Sequence, residues 1–110
     1  MNTKKEIVEY YYSGKFDDFN KYLNDEITWT SHKMPNVQLK NKEEVCQFLY
    51  NSPFERFTFE NTNFIQDENR LVVEGICSYL NREAKKVENF YCDIFTFNGN
   101  KIVKVSSYFI

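Results

Sequence analysis

Asp93 is the residue of this sequence least suited to its surroundings. It stands within Phe90-Tyr-Cys-Asp-Ile-Phe-Thr-Phe97, a run of aromatic, β-branched and small apolar residues that reads as a strand. A carboxyl group carried into apolar surroundings is disfavoured in its charged form, so it becomes a proton donor or a poised base. Hydrogen-bonded to a tyrosine or a helix end, or turned to solvent, the same residue would be structural only. His32 is the one histidine, and an ordinary pKa of about 6.5 suits it to general acid–base work, although a solitary loop histidine is commonly just solvated. The Tyr10-Tyr11-Tyr12 run covers about 200° of a helix, so one or two rings can face inward; Tyr11, on the face of Ile7, is the one expected to do so. Trp29 can stack on a planar ligand or serve as core. Ser31 and Ser107 can orient a ligand through their hydroxyls or be plain strand residues.

Other chemistries find no foothold. One histidine and dispersed carboxylates give no metal-ligand spacing. There is no GxGxxG, phosphate-binding loop or nucleophile elbow, so neither a nucleotide cofactor nor serine hydrolysis is expected. Cys46, Cys77 and Cys92 are odd in number and lack CxxC spacing, which favours small buried hydrophobes over a disulfide framework or a zinc site. With 14 Lys+Arg against 16 Asp+Glu, net charge −2, and scattered basic residues, no phosphate-tracking stripe exists and nucleic acid is not an expected partner. The absence of a long apolar stretch, lipidation signature or glycosylation sequon points away from membrane and export, and a cytoplasmic location is expected.

The elements that must position these residues can be read from periodicity. At 110 residues the chain has room for a single domain, 1–110, with one core. Thr3-Lys-Lys-Glu6 matches a capping box, and Ile7, Val8, Tyr11 and Tyr12 follow at helical spacing until Gly14, predicting a helix over 3–13. Phe16, Phe19, Tyr22 and Leu23 predict a second short helix ending near Asn24. Ile27 to Thr30 reads as a short strand, followed by a polar loop through His32, Lys33, Met34, Pro35 and Asn36. Asn41 and Glu44 open a third helix carrying Val45, Phe48 and Leu49, which ends before Pro53. Four β-rich runs follow, 54–66, 70–81, 86–98 and 101–110, separated by polar turns, as in an antiparallel meander. Both phases of Phe90 to Phe97 carry bulk, and three helices can cover only one face of a sheet, so a homodimer through the other face is expected.

The order helix, helix, short strand, helix, four-stranded meander resembles the NTF2-like superfamily, in particular its SnoaL-like and ketosteroid-isomerase-like branch. The resemblance rests on "GKFDDFNKYLNDEITW", "LVVEG" and "FTFNGNKIVKVSSYF" and covers the whole chain in order. It implies an α+β, cone-shaped (cystatin-like) fold with three N-terminal helices packed on a curved, mainly antiparallel sheet. It also implies an apolar pocket between the concave face and the first and third helices. On that geometry the pocket would be lined by Ile7, Trp29, Ser31, Phe48, Val73, Gly75, Cys77, Tyr91, Phe95, Val105, Ser107 and Phe109, with Gly75 leaving room. Aligned with ketosteroid isomerase, whose chemistry uses a tyrosine, a protonated aspartate and a second aspartate as base, Asp93 falls on the protonated aspartate. The tyrosine position is taken by Ile7 and the base position by Ser31, so that mechanism is not expected to carry over unchanged; Tyr11, one turn along, would be a new arrangement.

Two functions follow. In one, the domain binds a small apolar or aromatic molecule and acts on it as a cofactor-free isomerase, cyclase or hydrolase, using Asp93 with His32 or Tyr11. In the other it is a non-catalytic ligand-binding or dimerisation module whose pocket is filled by its own aromatics. An open cavity beside Asp93 separates them.

Overall fold

The computed structural model describes residues 3–32, 37–51 and 57–109. Helix α1 runs Lys4–Tyr12, opened by the expected capping box: Thr3 Oγ1 accepts from the Glu6 amide at 3.2 Å and Glu6 Oε1 accepts from the Thr3 amide at 3.1 Å. The Thr3 amide, and then its side chain, hold the Glu6 carboxyl below its ordinary pKa. Gly14, at φ 73°, takes the left-handed conformation in which its amide and that of Lys15 reach back to the Tyr11 and Tyr10 carbonyls. Helix α2, Phe16–Asn20, buries Phe19. It is shorter than its apolar spacing predicts, because the chain from Leu23 onward is claimed by the sheet. Strand β1 spans Leu23–Ser31, Leu23 pairs with Ile102, and the Ile102 amide donates to the Tyr22 carbonyl at 2.7 Å.

A strand β2, Val37–Leu39, lies between the expected polar loop and the third helix, where no element is expected; three residues are too few to display an alternation. Helix α3, Lys42–Asn51, follows, with Asn41 Oδ1 accepting from the Glu44 amide. The expected loop residues Lys33 to Asn36, the expected stop at Pro53, the start of the next strand at Phe54 and the final Ile110 lie outside the described residues. The meander comprises β3 (Thr58–Gln66), β4 (Arg70–Leu80), β5 (Lys86–Asn98) and β6 (Lys101–Phe109). Together the strands form one curved sheet in the order β2-β1-β6-β5-β4-β3, antiparallel except where β1 runs parallel to β6.

Directly opposed residues share a face, so the register sorts the side chains. One row joins Ser31, Ser107, Asp93, Val73 and Phe64; its neighbours join Trp29, Val105, Phe95 and Leu71, and Phe109, Tyr91, Gly75 and Asn61. This is the face the helices cover: Ile7, Val8, Phe19, Val45 and Leu49 are buried with Trp29, Val73, Phe95 and Val105 in one cluster. The pairing shifts register in β3 between Asn61 and Asn63, and again between the Thr96 and Phe97 pairs of β5 and β6. Each shift inverts the alternation of one strand locally. In β3 it places both Asn61 and Phe64 in rows of the covered face.

Gly75 sits where the Tyr91 ring crosses the sheet. A Cβ at this position would fall within contact distance of the Glu60 carbonyl and of the Tyr91 hydroxyl and ring. The expectation that Gly75 leaves pocket space is therefore corrected: the missing side chain accommodates Tyr91, which donates to Asn61 Oδ1. Gly75→Ala is expected to lower stability by about 1–3 kcal/mol, read as a drop in urea midpoint at unchanged slope.

Candidate functional site

Strand β5 carries Asp93 into the covered face, between Val73 on β4 and Ser107 on β6, and helix α1 closes over it. The residue is 3% exposed. Tyr12 donates its hydroxyl to Asp93 Oδ2, Ser107 adds a weaker favourable contact, and Oδ1 is left without a hydrogen-bond partner among the described residues. Burial dominates this balance: loss of solvation pushes the Asp93 carboxyl up to about 6, against the opposing effects of Tyr12 and Ser107. The group therefore changes charge close to neutrality, as proton-transfer chemistry requires.

The surroundings are aromatic. The Tyr12 ring stacks on Tyr91 at 5.7 Å between centroids and meets Phe59 edge-on at 5.7 Å. Tyr11 packs 5.3 Å from Trp29 and 6.2 Å from Phe95. Burial first, and the Asp93 charge second, raise the Tyr11 and Tyr12 hydroxyls well above the phenol range, and the Tyr91 hydroxyl is raised for the same reasons. All three remain protonated at physiological pH and serve as hydrogen-bond donors, not as bases.

Of the residues singled out in the sequence, Ile7, Trp29, Val73, Cys77, Tyr91, Phe95, Val105 and Ser107 are buried on the covered side with Asp93. Ser31 and Phe109 lie at its partly exposed margin, in register with Ser107 and Tyr91. Two expected placements are corrected. His32 is exposed, and its ring stacks on Tyr108 at 4.4 Å and 6°. Tyr108 alternates with Ser107 and so belongs to the opposite face; the His32 amide bonds to the Ser107 carbonyl at 2.8 Å, but its imidazole points away from Asp93. Phe48 is 43% exposed, because α3 buries Val45 and Leu49 and turns Phe48 to their flank.

The hydroxyl that holds Asp93 Oδ2 belongs to Tyr12, where Tyr11 is the tyrosine expected from the sequence. Its signal was available in the spacing: Tyr12 lies four residues after the buried Val8, as Tyr11 lies four after Ile7, and the sheet is wide enough to take both rings. Asn61 gave no signal, since the register shift beside it hides the phase of β3.

A sequence profile described as SnoaL-like domain matches residues 5–105. A comparison with curated proteins finds no match. Among solved structures, an NTF2-like protein of unknown function from Cytophaga hutchinsonii is 33% identical, with 94% of this chain and 93% of that one aligned and a TM-score of 0.86. TerC, co-crystallised with polyporic acid, is 14% identical over 97% of this chain and 91% of its own, with a TM-score of 0.81. A protein of ketosteroid isomerase-like fold from Catenulispora acidiphila, in complex with trimethylamine, is 10% identical over 96% and 86%, with a TM-score of 0.77. At those identities the last two speak for the fold alone.

The elevated Asp93 has a consequence for stability. The folded protein keeps this proton up to about pH 6, whereas the unfolded chain releases it near the ordinary value of about 3.9. Between these limits the folded state binds more protons, so this group's contribution to stability falls as pH rises, by on the order of 3 kcal/mol in total. Asp93→Asn keeps an acceptor for Tyr12 and removes the charge. The variant is expected to melt several degrees above the parent at pH 8, with the advantage gone at pH 4; equal differences at both pH values would show that Asp93 is not desolvated.

Proposed function

The chain belongs to the SnoaL-like domain family, and from that premise we propose that it is a one-domain, cytoplasmic, small-molecule protein whose concave side takes an apolar or aromatic ligand. It acts on that ligand without a cofactor, by acid–base chemistry of the isomerase, cyclase or hydrolase kind. The observation that carries the reading is Asp93: 3% exposed, raised to about 6, and with Oδ1 unpartnered among the described residues. A neutral carboxyl can donate to an oxygen that gains charge in the transition state, and its conjugate base can withdraw a proton. Tyr12 steadies the carboxylate, and Tyr11, whose ring lies 4.9 Å from that of Tyr12, is the second tyrosine of α1 at the site. The surrounding rings supply apolar, planar contact surface. Small-molecule complexes of TerC and of the Catenulispora protein, on the same fold, lend support. Free Cys46, Cys77 and Cys92 suit a reducing compartment.

A second reading is favoured by one feature. The rings of Tyr11, Tyr12, Tyr91 and Phe95 pack on one another around Asp93, and Tyr91 occupies the space above Gly75. An interior filled in this way would leave the outer face of the sheet as the working surface. That face carries Phe90 at 60%, Ile65 at 58% and Tyr108 at 41% exposure beside half-buried Val72, Ile76 and Ile94. Under either reading these residues are the proposed homodimer contact.

Mass spectrometry of small molecules released on denaturing the purified protein is the deciding experiment: the first reading expects a stoichiometric apolar or aromatic compound, the second none. With the substrate in hand, Asp93→Asn is expected to lower kcat by about 10²–10⁴ and Tyr12→Phe to lower it less; unchanged turnover in Asp93→Asn would exclude acid–base catalysis by this residue. Sedimentation at micromolar concentration is expected to give twice the 13.3 kDa chain mass, and Phe90→Glu to return the monomer; a parent protein that sediments as a monomer would remove the dimer.

A further inference from the structure

We propose that Asn61 is a positioning residue for Asp93: Asn61 stands on the covered face immediately before the irregularity in β3, fixes Tyr91 across Gly75, and Tyr91 holds Tyr12 in the orientation that donates to Asp93. The inference rests on the reading of Asp93 as the proton-carrying group and adds what sets its state.

Each link is a separate contact. Strand β3 pairs with β4 in one register up to Asn61 opposite Gly75 and in another from Asn63 opposite Glu74, so Thr62 is the inserted residue. The Thr62 hydroxyl donates to the Glu74 carbonyl at 3.0 Å, which pins the insertion to the neighbouring strand. Asn61, Gly75 and Tyr91 then stand in one row across three strands. The Tyr91 ring covers the glycine, and its hydroxyl donates to Asn61 Oδ1. Without that acceptor Tyr91 would retain a partly buried, unpaired donor with only a hydrogen atom beneath the ring to fix its tilt. The same ring lies nearly parallel to Tyr12, at 26° and 5.7 Å. Tyr12 extends from the last position of α1, one residue before Ser13 caps the helix, where its own backbone restrains it least. Stacking on Tyr91 and edge contacts with Phe59 and Phe95 therefore decide where its hydroxyl points.

Among the described residues, the ionisable groups near Asp93 are Tyr11 and Tyr12 from α1 and Tyr91 and Cys92 from β5, with Cys77 of β4 next to Tyr11 and Tyr91. None is a cation at physiological pH, so the Tyr12 hydroxyl is the strongest of the contacts favouring the Asp93 carboxylate. Loosening Tyr12 should let burial act with less opposition, and the proton should be held more tightly.

The test is an NMR titration of the Asp93 side-chain carboxyl carbon, assigned by its disappearance in Asp93→Asn and followed from pH 3 to 9. Asn61→Leu is expected to raise the titration midpoint by about half a pH unit or more, roughly threefold tighter proton binding. Tyr91→Phe, which removes the same hydrogen bond from its other end, is expected to raise it similarly and serves alone should Asn61→Leu not fold. Tyr12→Phe is expected to give a rise at least as large, and Asn61→Leu or Tyr91→Phe to add nothing on that background, because the effect passes through Tyr12. A midpoint unmoved by Tyr91→Phe, or a shift that persists undiminished in Tyr12→Phe, would overturn the proposal. The readout needs no substrate: failure to find any catalysed reaction would count against the functional reading while leaving the Asn61 coupling measurable. Loss of turnover in Asp93→Asn with an insensitive midpoint would do the reverse.

Discussion

A carboxyl group kept out of water beneath a helix is the constraint on which the rest of this interior depends. Asp93 has no cation near it and one oxygen without a hydrogen bond among the described residues, so its burial opposes folding whenever it is charged. The structure tolerates this because the neighbours are large and apolar: Phe95 and Val73 are fully buried beside it, and Tyr12 supplies a charge-assisted hydrogen bond from above. A domain selected for stability alone would gain by placing an apolar residue here. A destabilising group at the centre of a well-packed wall is the kind of local inconsistency that accompanies function.

Small backbone irregularities do much of the positioning. The sheet is paired over long stretches, yet its two register shifts in the meander lie where they alter which residues face α1. In β6, Ile102 and Val105 are both buried although three positions apart, since Val103 is taken up by the irregularity opposite Thr96 and Phe97. In β3 the same device lets Phe59, Asn61 and Phe64 share a face. A polar acceptor thereby reaches an aromatic interior without breaking the strand pairing that surrounds it. Gly75 complements it from β4: removing one side chain allows one tyrosine to lie flat across two strands.

The long, strongly periodic features were legible in the sequence. The capping box at Thr3, the stop at Gly14, the three polar turns of the meander and the inward parity of Trp29, Val73, Asp93, Val105 and Ser107 all rest on spacing, which packing enforces. What escaped were features decided by distant pairing. Leu23 has helical spacing with Phe16 and Phe19 but is paired by Ile102, seventy-nine residues later. Strand β2 is too short for a pattern, and Asn61 is masked by the insertion beside it. His32 was a different error. Once Trp29 and Ser31 face inward, alternation sends residue 32 outward, and proximity in sequence to the pocket wall is no evidence of proximity in space.

The two faces of β5 place different demands on one strand. On the inner face, Tyr91, Asp93, Phe95 and Phe97 are each 3% exposed or less, and any change there must be absorbed by α1. On the outer face Phe90 stands in water, with Cys92, Ile94 and Thr96 only partly covered. A helix cannot serve both sides, since α1, α2 and α3 are all committed to the inner one through Ile7, Phe19 and Val45. Outer-face cover is supplied by none of the described helices. It would stiffen the backbone that carries Asp93 without touching the carboxyl, because Cys92 and Ile94 flank it in sequence and point the other way. Anything that pairs on the outer face would therefore act on the candidate site through the pleat of a single strand.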